Sequence, residues 1–244
     1  MIYMKKTLRA LIPLFLGLIC GLFRRTIWSV TYDPATQLIT EPELPGLSHG
    51  LMVVSVLIVV LLVIKNWPEG REMASPYPAR TPFHRICRLA AGGIGLVSGL
   101  MMGAEQLSHQ PLALIALLMC LFQTAAGGSM VLMGLDRKAK GKNYSTLLLV
   151  PSFCCCYWMV AFYHVFGSHP HAETYLYPIL AGILVMFCWI FYAGFHFRPG
   201  ESRKFALAWA LLMLVMPSAL TAPLTIPYQL SLLAQLVWFL PVMI

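Results

Sequence analysis

The residues of this chain that could do chemistry are few, and they fall into an ionisable set near the ends of apolar segments, a thiol and amide set inside them, and a stripe of small residues. Glu105 and His109 stand four residues apart, which is one helical turn. A carboxylate and an imidazole at that spacing can relay a proton, share a metal ion, or simply mark a wet helix end. His164, His169, His171 and Glu173 form the densest imidazole cluster in the chain, and His49 belongs to the same end of the molecule. Imidazole with carboxylate suits Zn²⁺, Ni²⁺ or Cu²⁺, although no spacing here matches a known site, so whether a metal binds is left unknown. Histidine also titrates near neutrality, which allows a pH response, and loop histidines are commonly just solvated. Arg24 and Arg25 follow the first apolar run directly, and the same stretch holds Asp33, Glu41 and Glu43. They either contact headgroups and those acids or hold an anion.

Cys154, Cys155 and Cys156 lie near the middle of an apolar segment, with Cys120, Gln123 and Cys188 at similar depth in the segments on either side. Soft thiols meeting there would suit Cu(I). The alternative is that cysteine serves as a small apolar core residue. Three consecutive residues point about 100° apart on a helix, so the three cannot all face one ion. Gln123 is expected to hydrogen-bond a neighbouring helix. Ala91, Gly95, Gly99 and Gly103 recur every four residues and form one flat stripe that lets helix backbones approach closely. Such a stripe serves packing inside a bundle, or a dimer face.

The elements that position these groups follow from composition. Of the 244 residues, 59% are apolar and only 11% charged, and the mean hydropathy is +0.76. A soluble domain carries about 25% charged residues, so the main solvent of this chain is lipid. The fold class expected is all-α: a single transmembrane helical bundle with spans near 8–23, 48–64, 85–107, 111–135, 145–166, 176–197, 204–220 and 227–244. Met1 to Phe23 has the look of a signal peptide, yet Arg24 and Arg25 stand where small residues would mark cleavage, so a retained helix is expected. Pro217, Pro223, Pro227 and Pro241 interrupt the last two segments, which leaves seven spans with a re-entrant end as the alternative to eight.

The charges set an orientation. Fifteen of the 17 Lys and Arg residues fall at the N-terminus or in the loops around 65–88, 137–142 and 198–204, all on one side of an eight-span bundle. The opposite segments 107–111, 167–175 and 221–227 hold none. By the positive-inside rule both termini are cytoplasmic. The same rule accounts for the net charge of +8 and removes the need for nucleic acid as a partner. The seven cysteines have no framework spacing and read as reduced thiols. Trp28, Tyr32, Trp67, Tyr144, Tyr175, Tyr177 and Tyr228 lie near expected span ends, as interfacial aromatics do.

No phosphate-binding glycine loop, nucleophile elbow or zinc-protease motif is present in the sequence, so no cofactor is expected and an enzyme is the least favoured class. Phe23-Arg24-Arg25, then Tyr32-Asp33-Pro34, Leu38, and Pro42 to Pro45 before an aliphatic second helix, resemble the N-terminal pattern of a family of small multi-pass inner-membrane proteins of anaerobic bacteria whose activity is uncharacterised. The resemblance covers about the first 65 residues and implies a bacterial cytoplasmic-membrane location without any activity or site residue. The leading expectation is a transporter-like or channel-like component for an unidentified ion or small molecule. The second is a structural, sensory or assembly subunit, binding another membrane protein or a second copy through the glycine stripe. The lipid bilayer is a partner in either case.

Overall fold

The computed structural model describes residues 2–33, 38–39, 43–66, 82–108, 114–135, 142–166, 175–197 and 202–242. Eight α-helices lie among them: α1 (Ile2–Thr31), α2 (Glu43–Asn66), α3 (Pro82–Ser108), α4 (Leu114–Leu135), α5 (Lys142–Phe166), α6 (Leu176–Phe197), α7 (Ser202–Leu220) and α8 (Ile226–Phe239). A 3₁₀ turn at Leu240–Val242 follows α8, and two short strands, β1 (Tyr32–Asp33) and β2 (Leu38–Ile39), pair antiparallel between α1 and α2. Helices dominate for a physical reason. A backbone with little water around it must satisfy its own N–H and C=O groups, and a helix does so within one segment. Six helices are long and apolar enough to cross a membrane, from Leu11–Thr31 to Leu176–Gly194, while α7 and α8 are shorter apolar helices.

The largest departure from the expected boundaries is α1, which does not stop at Phe23. No glycine or proline follows to break it, and the hydroxyls of Thr26 and Thr31 bond back to the carbonyls of Leu22 and Ile27, at 3.0 and 2.9 Å. Arg24 and Arg25 are therefore helical residues and not the start of a loop. α2 likewise begins earlier than expected, at Glu43.

Glycine sets the closest helix contacts. A Cβ on Gly92 would stand 2.7 Å from the Val131 nitrogen, one on Gly95 would stand 3.2 Å from the Gly127 Cα, and one on Gly99 would run into Thr124. Rising positions on α3 thus meet falling positions on α4, and the two are antiparallel. The stripe read from the sequence is filled by α4 of the same chain. Its contact row is Gly92, Gly95 and Gly99, with Gly103 looser at 4.0 Å from Cys120 Cβ. A dimer face there is corrected to an internal seam, because backbone-to-backbone approach leaves no room for a second partner.

Gly17 and Gly21 do the same for α1 and α7. A Cβ on Gly17 would stand 2.7 Å from the Met213 carbonyl oxygen, and one on Gly21 3.0 Å from the Pro217 carbonyl carbon, so these two helices run parallel. Pro217 has no N–H for the Met213 carbonyl one turn earlier, and the bare backbone of α1 closes over that carbonyl. α7 is buried almost throughout, from Phe205 to Ala219, against α1, α2, α6 and α8. α8 runs beside α3, α6 and α7. The prolines do not break this pair of helices. Pro223 sits in the turn between them, Pro227 in the first turn of α8 and Pro241 in the 3₁₀ turn.

Gly99→Leu is expected to destabilise the purified protein by about 1–3 kcal/mol through overpacking of the α3–α4 seam. Gly93→Leu and Gly128→Leu, where an added Cβ meets nothing within 4 Å, should leave stability unchanged. Thermal unfolding in detergent, read as loss of the monodisperse size-exclusion peak, compares the three.

Candidate functional site

α8 brings the polar groups of the interior together. Its Ser231, Gln235 and Trp238 recur at i, i+4 and i+7, so they share one face, and all three are buried. Ser231 Oγ donates to Gln123 Oε1 of α4 at 3.0 Å, and Cys154 Sγ of α5 donates to the same oxygen at 3.3 Å. Gln123, 1% exposed, therefore ties three helices at one level. One turn along α8, Gln235 Oε1 accepts from Trp189 Nε1 of α6 at 2.8 Å. α8 is itself held near both ends: Ser98 Oγ donates to the Pro227 carbonyl at 2.8 Å, and Trp209 Nε1 donates to the Phe239 carbonyl at 2.7 Å.

A cavity of about 20 Å³ opens between these groups. Its lining is Gln123, Cys154, Cys155, Trp158, Gly182, Val185, Ser231, Leu232 and Gln235. Every one of these residues is buried, and they lie close to the middles of α4, α5, α6 and α8. Gly182 is small for a reason: a Cβ there would stand 2.9 Å from the Trp158 ring and 2.7 Å from the Met159 sulfur. The indole of Trp158 lies in that space, stacked on Phe162 at 4.6 Å.

The thiols are divided as helical geometry requires. Cys154 and Cys155 are buried, and Cys156 is exposed, with its sulfur 3.5 Å from Met186 Sδ. Cys120 Sγ donates to the Ala116 carbonyl of its own helix at 3.0 Å. Cys188 is buried. Among the described residues no three His, Cys, Asp or Glu side chains are placed to hold a metal ion.

The ionisable set is scattered. Glu105, His164 and Arg25 are exposed, while His109, His169, His171 and Glu173 lie outside the described residues. Arg24 separates from its neighbour: it is 8% exposed, with its guanidinium carbon 4.2 Å from the centre of the Tyr177 ring. The Tyr177 hydroxyl is 2.8 Å from His49 Nδ1, and the two rings are nearly parallel. Tyr177 is thus no lipid-facing belt residue. Tyr175 is also turned inward, edge-on to Phe162 at 5.8 Å, and Tyr228 packs edge-on to Trp158 and Phe162 at 6.3 Å from each. Each finds ring partners inside the bundle, which the interface does not offer.

A second buried arginine escaped sequence reasoning, because its charge was fully used as a topology marker. Arg88 on α3 is 2% exposed; its Nη2 donates to Tyr192 Oη at 3.0 Å and its guanidinium carbon lies 5.3 Å from the Trp238 ring centre. Around it Trp189, Tyr192, Phe205, Trp238 and Phe239 form a continuous aromatic cluster drawn from α6, α7 and α8. The available signal was the depth of Arg88 itself, seven residues beyond Thr81 and so two turns into α3.

Arg24→Ala should cost about 2 kcal/mol, the value of a desolvated cation–π contact, whereas Arg25→Ala should stay within about 0.5 kcal/mol as an exposed change does. Side-by-side thermal unfolding of the two variants in detergent checks the difference. Comparison with known protein families, with curated protein sequences and with solved structures finds no match for this chain.

Proposed function

We propose that the chain is a multi-pass integral membrane protein of a bacterial cytoplasmic membrane, crossing eight times with both termini inside, and that it works as a transporter-like or channel-like component. Six helices of sufficient length support a multi-pass protein. At about 1.5 Å per residue α7 spans about 28 Å, close to the ~30 Å of hydrocarbon. α8 with its 3₁₀ turn spans about 25 Å by the same rise. The side-by-side Trp209–Phe239 contact places α8 back along α7. The basic loops then supply the orientation.

One observation carries the transport reading. A run of polar side chains, Gln123, Ser231 and Gln235, borders a cavity in the middle of an otherwise apolar bundle. Uncharged polar groups at that depth bond between helices, and where they also border a cavity they can offer hydrogen bonds to a small ligand. The exposed Glu105 and His164 do not add to it. The glycine stripe no longer favours a partner-binding subunit, since α4 covers it.

Two measurements test this. In spheroplasts, Lys140→Cys should resist a membrane-impermeant maleimide and Ala172→Cys should react, relative to the parent chain; the reverse pattern overturns the orientation. In proteoliposomes, the chain should raise permeability to at least one of H⁺, K⁺, Cl⁻, urea and water above empty vesicles, and Ser231→Leu should remove the increase with folded protein retained. Equal permeability of wild-type and empty vesicles across the panel overturns the transport reading.

A further inference from the structure

We infer that the central cavity is a binding site for one uncharged, water-sized hydrogen-bonding molecule, with water as its resting occupant. The inference names the ligand class for the pathway proposed above and rests on that reading for its functional meaning.

Size comes first. About 20 Å³ exceeds the roughly 10–15 Å³ that one water requires and is no more than the least that two would need. Polarity comes second. A water stays in a protein interior only where two to four polar groups receive it. The carboxamide oxygens of Gln123 and Gln235 are used by Ser231, Cys154 and Trp189, but neither carboxamide nitrogen has an acceptor among the described residues. Trp158, 4% exposed, borders the same cavity, and its Nε1–H is buried with no hydrogen-bond partner. Of these donors the Trp158 Nε1–H is fully buried and unpaired, and the two carboxamide nitrogens belong to residues lining the same water-sized space. An unsatisfied buried donor costs about 1–3 kcal/mol, so an empty cavity would be the costly arrangement. A single oxygen with two lone pairs accepts from two of these donors, and its own hydrogens are free for the Ser231 oxygen or a cysteine sulfur.

Charge decides the class. The lining consists of amides, a hydroxyl, thiols, an indole and aliphatic groups, with no ionised side chain. An ion in this space would lack a counter-charge, and the cost of a bare charge in such surroundings far exceeds what neutral dipoles of this number return. A neutral oxygen-bearing molecule loses little on entry, because the waiting donors replace its bonds to water.

The test reads occupancy directly. Protein with ¹⁵N-labelled tryptophan in micelles is examined for cross-relaxation between water and each indole Nε1–H, with Trp158→Phe identifying the Trp158 signal. The wild type should show a long-lived water contact at Trp158, whereas Trp189 and Trp209, bonded to Gln235 Oε1 and the Phe239 carbonyl, should show none. Val185→Leu, which fills the cavity with one added methylene and keeps the lining apolar there, should abolish the Trp158 contact, as should Ser231→Leu where it folds. A folded wild type without a water contact at Trp158, or a contact that persists in folded Val185→Leu, overturns the site. A Ser231-dependent flux of H⁺, K⁺ or Cl⁻ overturns the uncharged class while leaving the transport reading standing, and a water contact without any flux leaves the site standing while the transport reading falls.

Discussion

The interior of this bundle is arranged around one constraint: polar side chains surrounded by apolar helices draw their partners from one another and from helix-end carbonyls. Gln123 meets it at the centre, where its carboxamide oxygen receives hydrogen bonds from α5 and α8 together. Such bonds between helices in lipid average only about 0.6 kcal/mol, with a maximum near 1.7. Two of them cannot hold eight helices. What they fix is registry, since a shift of α8 by one residue would turn Ser231 and Gln235 away from their partners. Adhesion comes from the close backbone contacts at Gly92, Gly95 and Gly99 on one side and Gly17 and Gly21 on the other.

The two buried arginines show the same constraint at higher cost. Each is received by a tyrosine of α6, Arg24 by Tyr177 near one end of that helix and Arg88 by Tyr192 near the other. A guanidinium is weakly hydrated and planar, so an aromatic face and a phenol oxygen can replace much of its water. Lysine, a compact and strongly hydrated charge, would be poorly served in either place. α6 is thus pinned to α1 at one end and to α3 at the other, and the aromatic cluster around Trp238 fills the space between Arg88 and the polar face of α8.

Fold class was readable from the sequence because the length of an apolar run is a local property. The segments expected near 176–197 and 204–220 reappear as α6 and α7 with little change. The end of α1 was not readable, because an arginine pair in an apolar helix signals an interface unless a buried partner is known, and Tyr177 is more than 150 residues away in sequence. The stripe of small residues was legible as a contact, but its partner lies in α4, and Gly92, one position off the four-residue ladder, needed the crossing geometry to be noticed. At the candidate site the sequence singled out Gln123 and Cys154 by depth alone. Ser231, Gln235 and Trp238 carried a helical-period signal that was overlooked, because three isolated polar or aromatic residues in a proline-flanked segment read as a weak span. The ionisable residues drew attention by their chemistry, yet Glu105 and His164 are exposed and do not line the central cavity.

The clamps on α8 bear on how large a molecule the centre can receive. One clamp is the bond from Ser98 to the Pro227 carbonyl in the first helical turn, and the other is the bond from Trp209 to the Phe239 carbonyl where the helix tightens into 3₁₀ geometry. Both use backbone carbonyls at helix ends. The Pro227 carbonyl, in the first turn, accepts the Ser98 hydroxyl on a second lone pair, and the carbonyls of a last turn have no intrahelical partner. A helix held at both ends can rotate or bow at its middle for less than it can shift along its axis, since translation breaks both clamps and the Gln123 registry together. Ser231 and Gln235 sit on that middle stretch. Enlarging the cavity therefore falls to a local bend of α8, or to rotation of the Trp158 indole off the bare surface at Gly182, and a small neutral ligand demands the least of either movement.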